Sequence, residues 1–241
     1  MENERIEDYK LLLKNMYDIS SKMSDVILVN YFDDNRYLYD LYNEAFRSIK
    51  GFCTLINDGA LISQATAVLR MGLEQTAIIR VLESNKNLLD EYIEHAKARL
   101  ELNAKEHKEK NELIRKRFTD KIGKTDNPIA FLEYGWLKAI TNEYSFDSLI
   151  KAANIQKNSD IVLSWKNTLN QFVHGNIKLT NLASTEDGIL EFGQETIRLA
   201  ATLMDTLICD FHNENGFDFV LDKKNYQKTF RLIFEKIIKS Y

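Results

Sequence analysis

The chain is written in long stretches where apolar residues return every three or four positions, the period of a helix with one buried face. Ile6, Tyr9, Leu13, Met16, Ile19, Met23 and Val26 make such a stripe and predict a helix over 3–30. The polar DDNR (33–36) interrupts it, and a second helix is expected over about 37–57, closing at INDG (56–59). The next segment, ALISQATAVLRMGLEQTAIIRVLE, is apolar nearly all round, which predicts a central, buried helix.

Beyond it the pattern changes. Residues 87–121 predict one long helix whose first half carries Leu88, Leu89, Tyr92, Ile93 and Ala96, while KEHKEKNELIRKRF is mostly charged. GKTDNP (123–128) is the clearest loop and holds the only proline. Shorter helices are expected over 128–142, 145–154 and 159–174. IKLTNL (177–182) and GILEF (188–192) alternate loosely around TEDG, which leaves room for one short β-hairpin near 177–192. Helices over about 193–214 and 223–241 complete an all-α bundle of about seven to nine helices, read as a single helical domain over 1–241. In the last, Tyr226, Phe230, Ile233, Ile237 and Tyr241 form the stripe.

Composition fits this reading. One proline and nine glycines in 241 residues leave few punctuated turns, and 44% apolar with 28% charged residues suits a packed core. No apolar run approaches the roughly 18 residues that span a bilayer. The acidic opening MENERIEDYK does not look like a secretory signal. Cys53 and Cys209 are too few for a disulfide framework, though one bridge between them stays open. These features together favour a cytoplasmic protein with no membrane partner. The net charge of −4 conceals an acidic start, ten acidic against five basic side chains in 1–46, and a basic strip over 105–124 with eight basic against four acidic. That strip (Lys105, Lys108, Lys110, Arg115, Lys116, Arg117, Lys121) could track a nucleic-acid backbone, but its interleaved Glu106, Glu109 and Glu112 favour ordinary surface pairing.

Two polar constellations stand out. On a helical period His174 shares a face with Asn170 and Asn167, while Ile161, Trp165, Leu169 and Phe172 point to the core. Gly175 suits a helix terminus, so His174 falls in the last turn, where the carbonyl field favours imidazolium by about 0.3–1 kcal/mol. A histidine is favoured there on electrostatic grounds alone, and equally could donate a proton or neutralise a phosphate. The second constellation is Arg70 and Glu74, four apart in the apolar helix, with Arg80 and Glu83 further on. Ionised groups in such a helix must be paired in the core or line a cavity, and the segment alone leaves both readings open. Other clusters rank lower. Asp205, Cys209 and His212 lack a recognised zinc spacing; His95 and Arg99 beside Tyr92 could line the same cavity as Arg70 but better fit a solvated helix face; and no phosphate loop or nucleophile elbow is present.

The buried AVLRMGLEQTAIIRVLE, the following YIEHAKAR and the later FVHGN together resemble the HEPN superfamily of helical bundles, over roughly residues 40–215. They are most similar to a bacterial branch with an LRxxLE-type helix and a VHG-type helix end. The resemblance implies a homodimer that binds or cuts RNA without metal or cofactor, in antiviral defence or as a toxin. The superfamily's signature is an arginine, four to six residues, then a histidine on one helix. His174 matches the histidine. The window for the arginine holds Asn167, Thr168 and Leu169, and Lys166 lies one residue beyond it.

On this resemblance, catalysis would rest on His174, Arg70 and Asn170, with Asn167, Glu74 and Lys166 binding substrate and Arg70 supplying the missing guanidinium from a neighbouring helix. Cleavage by the RNA's own 2′-hydroxyl needs a proton acceptor, a proton donor and positive charge on the phosphate. Histidine serves either proton role and arginine makes permanent bidentate phosphate contacts. The alternative is a non-catalytic module binding a protein partner or a nucleotide.

Overall fold

The computed structural model describes residues 2–29, 36–57, 61–103, 116, 128–155, 159–173, 186–215 and 230–239. Among these every regular element is helical, giving an all-α bundle: α1 (Glu2–Val29), α2 (Arg36–Ile56), α3 (Ile62–Ser84), α4 (Leu89–Asn103), α5 (Pro128–Tyr134), α6 (Phe146–Ala153), α7 (Ser159–Val173), α8 (Glu186–Asn215) and α9 (Leu232–Lys239). Short 3-10 turns cover Lys86–Leu88 and Gly135–Ala139. The chain divides into two compact units, Met1–Ile79 with Ile155–Tyr241, and Arg80–Asn154.

In the first unit the α1 stripe is buried as its spacing predicts, with Leu12 and Ile27 added and Ile6 and Val26 left half-exposed. α2 packs against it, and Lys50 Nζ lies 5.1 Å from the centre of the Tyr17 ring. α8 meets both: Tyr39 and Tyr42 of α2 face Phe211 edge-on, and Arg198 Nε donates to the Tyr9 hydroxyl at 3.1 Å. α9 closes on α1 through Lys236 and Asp8. Phe46, Phe52, Met16, Leu69, Leu73 and Met204 are all fully buried.

α2 and α3 approach closely because small residues line their seam. A Cβ on Gly72 would come within 3.3 Å of Ser48, and one on Gly51 within 3.2 Å of Val68. The same contact lets Ser48 Oγ donate to Gln75 Oε1 at 2.8 Å. Buried Thr66 and Thr76 return their hydroxyls to the carbonyls of Ile62 and Gly72, so the apolar interior carries no unpaired hydroxyl at either position.

One expectation is corrected. GILEF (188–192) is not a hairpin arm but lies within α8, which begins at Glu186 rather than near 193. Its helical setting has a physical reason. Phe192 packs on Phe172 of α7, ring centroids 4.2 Å apart, beside Ile62 and Ile56, and buried Thr196, Leu199 and Leu203 continue its face at three-four spacing. The first arm, 177–182, lies outside the described residues, as does most of the charged second half of the long helix expected over 87–121.

The second unit is held by aromatic contacts. Tyr92 of α4 meets Trp136 edge-on at 5.3 Å, and the ring of His95 meets Phe131, which in turn meets Tyr144. Gly135 is required at its position: a Cβ there would fall 2.2 Å from the Phe131 ring and 2.7 Å from His95. Ser145 caps α6 by accepting from the Ser148 amide, and Asn154 ends that helix in the left-handed region at φ 46°.

Candidate functional site

Arg70 leaves α3 on its half-exposed side, between buried Leu69 and the outward-facing Met71, which is 51% exposed. Its guanidinium is held by groups on two helices. Nε donates to Asn170 Oδ1 of α7 at 2.8 Å, and a terminal nitrogen donates to Glu74 Oε2 one turn on at 3.0 Å. The two charged side chains retain 25% and 23% of their exposure, so they sit at a solvent-reached rim and not inside a closed core. The pair is thus formed, at a partly exposed position and not in a closed core. A fully buried ion pair carries a large desolvation penalty, whereas a rim pair remains within reach of a solute.

The position follows from sequence. Three-four spacing places Leu69, Leu73 and Thr76 inward, which turns Arg70 and Glu74 together toward the edge. On α7, Val162, Leu169 and Phe172 form the buried face, and Asn170 sits at its margin. Two α7 expectations are corrected. Ile161 is exposed while Val162 takes the core, and Trp165 is only half-buried.

Of the six residues singled out from sequence, the structure brings Arg70, Glu74 and Asn170 into one hydrogen-bonded group. Lys166 is half-buried one turn before Asn170, and Asn167 is exposed. His174 follows directly after the last residue of α7 in sequence and lies outside the described residues.

Elsewhere, His95 does not occupy a solvated helix face. It is 1% exposed, packed on Phe131 and Gly135, with a Glu91 carboxylate oxygen 3.6 Å from Nε2. The spacing carries the signal, since Leu88, Tyr92 and His95 continue the stripe of α4 at three-four intervals, although histidine is by type a polar residue. Arg99 does behave as a surface residue, 3.8 Å from Glu133.

Cys53 and Cys209 are not joined in a disulfide. Among the described residues no three of His, Cys, Asp and Glu gather in a way that could hold a metal ion, and no helix is long and apolar enough to cross a membrane.

No family model, curated protein or solved structure matches the chain.

Proposed function

We propose that this chain is an HEPN-like protein of bacterial defence, acting as a homodimer in the cytoplasm, that binds RNA or cuts it without a metal. The single observation that carries the reading is the bond from Arg70 of α3 to Asn170 of α7. The superfamily's arginine is missing from the helix that precedes His174, and Arg70 brings a guanidinium to that same helix from its neighbour. A guanidinium fixed at a solvent-reached rim is suited to a phosphodiester, which it contacts through two parallel hydrogen bonds. In this reading Arg70 binds the scissile phosphate, Asn170 fixes the guanidinium plane, and His174 transfers the proton. Lys166 and Asn167 on α7 contact the flanking RNA backbone.

Purified wild type and H174A with end-labelled RNA, with and without EDTA, test the proposal. Cleavage that survives the chelator and falls about 10²–10⁴-fold in H174A is the expected result. Equal cleavage by both proteins removes the catalytic role of His174. Binding without cleavage by wild type favours the second reading, a non-catalytic helical module, which the absence of an arginine at positions 167–169 specifically supports.

A further inference from the structure

Arg70 already has an anion against it. Its terminal nitrogen donates to Glu74 Oε2 at 3.0 Å, while its Nε is held separately by the neutral Asn170 amide at 2.8 Å from the other helix. The two contacts differ in kind. The Asn170 bond ties the guanidinium to α7 and carries no net charge, so it is compatible with any anion on the outward edge. The Glu74 contact neutralises Arg70 and uses the edge nitrogen that a phosphate oxygen would use.

We propose that Glu74 is an internal competitor for the phosphate site: its carboxylate occupies Arg70 when no ligand is bound, and an RNA phosphate binds by displacing it while Asn170 keeps the guanidinium in place. This rests on the RNA reading of the same site.

Three features make the Glu74 contact the exchangeable one. In the pair the cation precedes the anion at i,i+4, the less favourable order along a helix. Both side chains keep about a quarter of their exposure, so water and salt screen the pair. Glu74 is half-buried one turn from Arg70 on the same helix, so its carboxylate can move off the guanidinium by side-chain rotation. With Glu74 in place its carboxylate offsets the charge of Arg70; rotating it away weakens that offset, and removing its charge leaves the guanidinium unopposed by Glu74.

The test is binding of a fluorescein-labelled, single-stranded, 2′-O-methylated RNA 20-mer, which cannot be cleaved by its own hydroxyl, read by anisotropy. Inorganic phosphate as competitor separates recognition of the RNA strand from recognition of free phosphate. Wild type is compared with R70Q, E74Q, the R70Q/E74Q double variant and E44Q, a charge control on the exposed Glu44–Arg47 pair of α2. E74Q is expected to bind RNA about three- to tenfold more tightly than wild type, with E44Q unchanged and the gain lost in R70Q/E74Q. Binding by E74Q equal to or weaker than wild type, while R70Q loses binding, overturns the competitor role and leaves the RNA reading standing; Glu74 then serves to position Arg70. Unchanged binding in R70Q overturns both. If no protein binds the RNA, E74Q included, both fall as well. Helicity and melting of each variant are read first, and should E74Q not fold, Glu74→Ala carries the same comparison.

Discussion

Arg70 Nε donates to Asn170 Oδ1 at 2.8 Å, joining two residues 100 positions apart in the chain. The bond is at once a strut between α3 and α7 and the feature that fixes a guanidinium beside the last turn of α7. Both roles have consequences for stability that can be separated from binding.

As a strut, the pair should couple modestly. Charge-assisted hydrogen bonds contribute about 1.5–3 kcal/mol when well shielded, and exposure at the rim reduces this to about 1 kcal/mol. A double-mutant cycle with Arg70→Ala and Asn170→Ala, read by urea denaturation, should show that coupling. A loss of about 3–5 kcal/mol for Arg70→Ala alone would instead mark a closed, buried pair. Zero coupling would mean that the bond adds nothing measurable to stability and is no strut.

Gly135 lies against both Phe131 and His95 in the second unit, and an added methyl would overlap the Phe131 ring. Gly135→Ala should therefore destabilise by about 1–3 kcal/mol, the cost of overpacking a filled site. Chemical denaturation checks it, and unaltered stability would show that the ring yields freely. Removing the buried imidazole by His95→Ala should cost about 2–4 kcal/mol through the cavity left under Phe131.

The helical correction at the start of α8 has its own test at Gly193. A Cβ there would meet nothing within 4 Å, and the residue lies inside α8. Gly193→Ala should stabilise the protein by about 0.5–1 kcal/mol, because alanine loses less backbone entropy in a helix than glycine. A melting temperature that falls on this change would argue against helix at this point.

Much of the bundle was legible because its helices carry one stripe each. α1, α2 and α7 were bounded to within a residue or two by apolar spacing and by the polar breaks beside them. GILEF misled because five residues are too few to separate a loose alternation from a helical period, and the deciding contact, Phe192 on Phe172, lies on another helix. Arg70 and Glu74 could be paired by their spacing, but no local pattern announces Asn170 as the third member. Tertiary packing of α3 against α7 supplies it. His95 is the opposite case: its stripe is readable locally, and position rather than residue type sets its burial.

The two thiols should differ sharply in reactivity. Burial pushes the Cys53 thiol from 9.0 up to about 12, with its backbone hydrogen bond opposing the shift, while Cys209 is half-buried. At neutral pH a thiol-specific reagent should therefore modify Cys209 in the native protein and reach Cys53 only on unfolding. The same shift has a signed effect on stability. A folded value above the unfolded one means that the native state holds its proton more tightly. The thiol's contribution is then complete below pH 9.0 and is lost as pH rises toward about 12. Other groups titrate in this window, so the measurable quantity is the stability difference between wild type and Cys53→Ala. That difference should be flat from pH 6 to 8 and should narrow above pH 9 by about 1.4 kcal/mol per unit at most. A difference that stays constant to pH 11, or rapid labelling of Cys53 in the native state, would show that water reaches the thiol and that the α2 core is looser than its packing implies.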